Sequence, residues 1–169
     1  MRQAFILAAI MLLSACAQTA PESDAVFLVR HAEKTTEKTD PGLTEAGQAR
    51  AIALAERLEG EGITHIHSSN YIRTRDTAAP LAASLGLGVE IYDARDLPAI
   101  AAKLKATPGR HLVVGHSNTT PQLTELLGGD GGEPIYEPTE YDRLYVVTME
   151  EGEPVKSYLT RFGAKSEWQ

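Results

Sequence analysis

The stretch Ala25-Val26-Phe27-Leu28-Val29-Arg30-His31-Ala32-Glu33 decides the fold. Five apolar residues in an unbroken run leave no side for water, so they read as a β-strand covered on both faces. Working outward, Thr44 is placed to cap a helix running to about Glu59. Its Ala51, Leu54, Ala55 and Leu58 recur at the spacing of one buried face, and Gly60 is placed to end it. Ile63 to Ser68 reads as a second strand. Tyr71 to Leu85 reads as a helix that Pro80 should kink or break. Gly88 to Tyr92 is a third strand and Leu97 to Ala106 a third helix. His111 to Gly115 is a fourth, buried strand, and Thr120 to Leu127 a fourth helix. Gly128 to Gly132 reads as a loop. Arg143 to Met149 and Pro154 to Arg161 make two last strands around a Glu151-Gly152 turn. This alternation predicts an α/β fold, a three-layer α/β/α sandwich on a mixed, mostly parallel central sheet with right-handed crossovers.

The length of 169 residues suits one folded domain, expected over 25–169. A single cysteine excludes an internal disulfide and a Cys-rich zinc site. The net charge of −7 argues against a protein that coats nucleic acid, but it does not set the sign of any one pocket.

Ahead of the domain, Arg2 precedes an apolar run from Ala4 to Leu13, too short for a membrane-spanning helix and suited to a signal-peptide core. The run ends in Leu13-Ser14-Ala15-Cys16, which resembles the lipobox of bacterial lipoproteins. That resemblance implies a signal peptide over 1–15, a lipidated Cys16 and a polar tether over 16–24. The plainer alternative is an ordinary secretory signal with an incidental cysteine. Ala17, in place of an aspartate, resembles the class sorted to the outer membrane of Gram-negative bacteria. The expected location is therefore the cell envelope, lipid-anchored on the periplasmic face of that membrane.

Three strands run into polar residues at their carboxyl ends. The first leads to Arg30-His31-Ala32-Glu33, the second to Ser68-Ser69 with Arg73 in the next helix, and the fourth to Gly115-His116-Ser117-Asn118. Ligands of open α/β sheets bind beyond those ends. If the three strands are parallel and adjacent, two arginines and two histidines meet there. Guanidinium groups match phosphate oxygens bidentately. A neutral imidazole is a competent nucleophile, and neighbouring cations help keep it neutral. A second imidazole is suited to stabilising a non-bridging oxygen. The set fits phosphoryl transfer through a phosphohistidine with no metal and no cofactor.

The runs FLVRHAEK, LTEAGQARA, SSNYIRTRDTAA and VVGHSN resemble the histidine phosphatase superfamily, the group that includes phosphoglycerate mutases, in that family's order. The resemblance spans Ala25 to Thr148 and implies a phosphoglycerate mutase-like fold. It makes His31 the nucleophile and His116 the second catalytic histidine, with Arg30 and Arg73 as phosphate ligands. Leu43, Thr44 and Gly47 match a structural helix opening. Ala32 replaces a glycine and is expected to narrow the pocket. Glu37 stands where mutase-type members carry an asparagine, which argues against mutase activity. No helical insertion follows Arg73, so an open pocket is expected.

The leaving oxygen needs a proton from a carboxyl group. Asp93 is the first candidate for that acid. Glu33 and Asp96 are alternatives, as is a site without a dedicated acid. His65 and His67 alternate onto one strand face at a spacing that suits a metal, but they read better as a polar strand near the surface. Asp142 fits either a turn or a loop near the site, and the Glu-rich region towards the C-terminus reads as a solvated face. The function this implies is a phosphohydrolase acting on a phosphorylated small molecule or envelope substrate, phosphomonoester or phosphoramidate. A non-catalytic phosphate-binding lipoprotein and a phosphomutase are the alternatives.

Overall fold

Among the described residues, six strands form one sheet: β1 (Asp24–Arg30), β2 (His65–Ser69), β3 (Val89–Tyr92), β4 (Arg110–Gly115), β5 (Arg143–Met149) and β6 (Lys156–Arg161). The structure is a computed structural model that describes residues 23–150, 152–153 and 155–166. The expected signal peptide, Cys16 and all but the last two residues of the tether lie outside the described residues, as do Glu151 and Pro154 of the last hairpin. The strand order is β3-β2-β4-β1-β5-β6. β1, β2, β3 and β4 run parallel, β5 runs antiparallel beside β1, and β6 antiparallel beside β5. The expected mixed, mostly parallel sheet is what forms.

Four helices of the described residues cover it: α1 (Glu45–Leu58), α2 (Ile72–Leu85), α3 (Leu97–Ala106) and α4 (Thr119–Leu127). The alternation of β1 decides which helices go where. Ala25, Phe27 and Val29 pack with Leu54, Leu58, Ala78 and Leu81 of α1 and α2. Val26 and Leu28 pack with Ile100, Leu104, Leu123 and Leu127 of α3 and α4. Phe27 and Val29 are fully buried and Leu28 nearly so. Burial of such side chains contributes about 1.5–3 kcal/mol each. Among the described residues no helix is long and apolar enough to cross a membrane.

Local differences from the sequence expectation have physical causes. Thr44 does cap α1, its hydroxyl accepting from the Gly47 N–H at 3.1 Å. Gly60 does not end that helix: Glu59 is its C-cap, still right-handed, and the left-handed turn falls at Gly62. α2 continues through Pro80 without a break, its inner side held by the buried Ala78, Leu81 and Ala82. Packing here overrides the loss of one backbone hydrogen bond.

Of the two histidines expected on a strand near the surface, His65 is half-buried, whereas His67 is packed under α3 with His111. His67 and His111 are each 1% exposed and their rings stack at 5.3 Å, with His65 4.5 Å from His111. His111 Nε2 lies 3.0 Å from the Thr107 carbonyl, an obligate acceptor, so that nitrogen carries the proton. His111 Nδ1 then accepts from His67 Nε2 at 3.1 Å. The remaining basic site is His67 Nδ1, 3.8 Å from a Glu90 carboxylate that also engages Lys103.

Burial, followed by the His111 ring, pushes the His67 pKa down to about 4. An unfolded histidine binds its proton near 6.5. The neutral stack therefore contributes stability that is complete above pH 6.5 and is lost as pH falls towards 4. Urea unfolding followed from pH 7.5 to 4 should show wild type losing on the order of 3 kcal/mol more than His67→Leu. Equal losses would remove the stack from the account of acid sensitivity.

Candidate active site

The carboxyl ends of β2, β4 and β1 lie side by side, with Ser68 opposite Val114 and Arg30 opposite Gly115. The chain after β1 continues the ladder for one bond, His31 N–H donating to the Gly115 carbonyl at 3.0 Å. The Ala32 N–H then donates to Thr77 Oγ1 of α2 at 2.9 Å. At this edge is an open cavity of about 350 Å³, lined by His31, Lys34, Tyr71, Arg73, Arg95, His116, Ser117, Asn118, Thr119 and Glu137, with Ala94 at its rim. Three of the expected site residues, His31, Arg73 and His116, share it.

His31 is 3% exposed and its Nδ1 lies 2.7 Å from the Ala32 carbonyl. A carbonyl only accepts, so Nδ1 holds the ring proton and the lone pair is left on Nε2. Burial is the main force that lowers its pKa to about 3, opposed by the Ala32 hydrogen bond and reinforced by Arg30, Arg73 and His116. The His116 ring sits edge-on at 5.6 Å, and its Nε2 lies 2.9 Å from Ser69 Oγ. Burial and the two arginines lower its pKa to about 4. Both rings are therefore neutral in the ordinary working range.

The two arginines are held in matching ways. The Arg30 guanidinium stacks 3.9 Å from the Tyr141 ring centroid and that of Arg73 4.5 Å from Tyr71. Arg30 Nη1 donates to the Glu140 carbonyl at 2.9 Å and Nη2 to Glu137 at 3.1 Å. Arg30 does not line the cavity itself; Glu137, which covers its Nη2, does. Among the described residues, the buried side-chain polar atoms without a hydrogen-bond partner are Arg30 Nε and Arg73 Nε. An unmet buried donor costs about 1–3 kcal/mol, more when charged, and such groups collect where a ligand completes them.

The candidate acids are distributed otherwise. Asp93 lies outside the cavity, half-exposed, with both carboxylate oxygens bonded to Arg95 at 2.9–3.0 Å. Those bonds hold its carboxyl down to about 2. That arrangement suits an ionised carboxylate rather than a proton donor. Glu33 is gripped through both oxygens by the buried Arg50, which also holds the Phe162 and Ala164 carbonyls. Asp96 caps α3 by accepting from Ala99 N–H. The methyl of Ala32 packs with Leu43 and Ala51, so it supports α1 rather than narrowing the cavity. Glu37 is exposed and accepts from the Thr35 hydroxyl.

In the segment before β5, Asp142 has two sequence readings, a turn or a loop near the site, whereas Glu137, Glu140 and Tyr141 are missed. Glu140 is 2% exposed rather than part of a solvated face, and Asp142 is 1% exposed. Glu140 accepts from Arg143 and Arg161, and Asp142 accepts from Arg161 and the Ser166 N–H. This ion network fixes the backbone that carries Glu137, the Glu140 carbonyl and Tyr141 against Arg30. The signal that could have found it is topological. A strand antiparallel to β1 starts at the edge where β1 ends, so it delivers its preceding loop to the site.

The family model for the histidine phosphatase superfamily (branch 1) matches residues 26–97, a stretch that contains His31 and Arg73 but stops short of His116. The probable phosphoglycerate mutase GpmB of Yersinia enterocolitica is 39% identical over 71 residues, 38% of this chain and 33% of that protein. The chain thus spans about a third of the length of the curated relatives it matches. Among solved structures, a mycobacterial glucosyl-3-phosphoglycerate phosphatase superposes with TM-score 0.64 at 16% identity, covering 83% of this chain and 99% of that one. The protein histidine phosphatase SixA, complexed with tungstate, gives TM-score 0.64 at 19% identity over 81% of this chain and 96% of that one. The fold is that of the histidine phosphatases.

Two measurements check the local account. Imidazole NMR should find His31 neutral, with its proton on Nδ1, down to about pH 4; a ring charged at pH 6 contradicts it. Gly47 lies so close to the loop after β1 that an added Cβ would sit 2.2 Å from the Glu33 carbonyl oxygen. Gly47→Ala should therefore destabilise the fold by about 2 kcal/mol or more in urea unfolding, since the obstacle is backbone. A loss under a few tenths would show that the loop yields freely.

Proposed function

With residues 26–97 matching the histidine phosphatase superfamily, we propose that this chain is a phosphohydrolase working through a covalent phosphohistidine on His31. One observation carries the reading. The only proton of the His31 ring is committed to Ala32, which leaves a nucleophilic Nε2 in a cavity shared with Arg73 and His116. His31 Nε2 attacks phosphorus in line with the leaving oxygen. The phosphorus–oxygen bond breaks and a phosphorus–nitrogen bond forms. Arg30, Arg73 and His116 stabilise the non-bridging oxygens, the arginines through donors that no other described residue meets. Water then attacks the phosphohistidine and returns the electron pair to the ring. The reaction needs no charge beyond these side chains, so the proposed enzyme is metal-independent.

The proposed substrate is a phosphomonoester or phosphoramidate, taken into an open cavity with Lys34 and Arg95 at its wall. The proposed setting is the bacterial envelope. It rests on the sequence alone: the apolar run, the Leu13-Ser14-Ala15-Cys16 junction and the polar tether that follows. A multi-acyl Cys16 would anchor the domain stably, whereas one chain would not.

Rapid quench of the full chain with labelled p-nitrophenyl phosphate should trap an acid-labile phosphate on His31. His31→Ala should abolish the label and lower kcat at least about 10³-fold, as loss of a covalent nucleophile does. Full turnover by that variant would end the proposal. Cys16→Ser should move the protein from the membrane to the soluble fraction, and retention on the membrane would overturn the anchor.

A further inference from the structure

We propose that Glu137 is the catalytic acid that protonates the leaving oxygen, an inference that rests on the phosphohydrolase reading. Among the described residues that line the cavity with His31, Arg73 and His116, Glu137 is the sole carboxylate. The other candidates are committed elsewhere: Glu33 to Arg50, Asp93 to Arg95 and Asp96 to the start of α3.

The Glu137 side chain is 58% exposed and touches the buried Arg30 through one oxygen at 3.1 Å. Three residues on, Glu140 is locked by Arg143 and Arg161, and Thr139 and Glu140 close a turn back onto the Tyr136 carbonyl. The backbone is therefore held while the carboxylate is at liberty to leave Arg30.

A phosphoryl group that engages Arg30 Nη2 as well as its unmet Nε takes the place Glu137 holds there. The carboxylate then loses its cation and gains a dianion as neighbour. Both changes favour its protonated form, so substrate binding itself readies the acid.

The step balances. His31 Nε2 forms the bond to phosphorus, and the bond from phosphorus to the leaving oxygen breaks. The Glu137 proton passes to that oxygen, releasing an alcohol. In the second half the Glu137 carboxylate takes a proton from the attacking water, the phosphorus–nitrogen bond breaks, and inorganic phosphate leaves.

The test compares two leaving groups. p-Nitrophenolate departs without a proton, whereas the alkoxide of β-glycerol phosphate needs one. In Glu137→Gln, kcat/KM for β-glycerol phosphate should fall about 10²–10³-fold, and the ratio of the two rates should shift against the alkyl ester by about 10² or more. Glu137→Asp, which keeps the carboxyl group, should recover part of the alkyl rate. Equal slowing of both esters, with tighter inhibition by inorganic phosphate, would make Glu137 a mere occupant of the anion site and overturn the inference. An active wild type whose rate ratio is unchanged in Glu137→Gln refutes the inference and leaves the phosphohydrolase reading standing. A wild type inert towards both esters overturns the two together.

Discussion

The pairing of β1 governs the rest of the molecule. It is hydrogen-bonded in parallel to β4 on one side and antiparallel to β5 on the other. A parallel neighbour contributes the loop that follows it to the shared edge, and an antiparallel neighbour contributes the loop that precedes it. One edge therefore receives His31 from β1, His116 from β4 and the Glu137–Tyr141 segment from before β5. Because β2 lies beyond β4, Ser69 and the start of α2 join the same edge and bring Arg73. Sequence separations of up to about a hundred residues collapse into one cavity for reasons of strand direction alone.

Within that frame, a few contacts convert position into chemistry. The Ala32 carbonyl decides which nitrogen of His31 keeps its lone pair. Tyr71 and Tyr141 each lie against an arginine, so both guanidiniums are shielded on a face, and each keeps a buried Nε without a partner among the described residues. The Arg50–Glu33 pair holds the loop after the nucleophile to α1 and to the C-terminal segment. The bond between Glu33 and Arg50 thus reads as a strut for His31, which takes Glu33 out of proton transfer.

Much of this is legible in the sequence itself. The apolar run 25–29, the helical spacing of Ala51 to Leu58 and the cap at Thr44 each rest on local physics, and each element formed close to its expected bounds. The polar ends of three strands pointed to His31, Arg73 and His116. What stayed hidden depends on long-range contacts. Pro80 lies in a helix because buried neighbours hold it there. His67 looks like a surface residue until His111, forty-four positions on, supplies its partner. Glu140 resembles any acidic loop residue until Arg143 and Arg161 close around it. Glu137 carries no motif at all, and its relevance comes only from the direction of β5.

The same ion network divides the connection between α4 and β5 into two parts of different character. Its downstream half, from Tyr136 to Asp142, is tied to Arg30, Arg143, Arg161 and Ser166. Its upstream half, from Gly128 to Gly132, turns through left-handed glycines and packs instead on the last hairpin and on α4: Gly129 lies against Ser157, the Asp130 N–H donates to the Ser157 hydroxyl, and Gly131 is buried against Glu125 and the Pro121 carbonyl. None of those five residues lines the cavity, so a change confined to that half bears on the seam between α4 and the last hairpin and leaves the charged floor of the site in place.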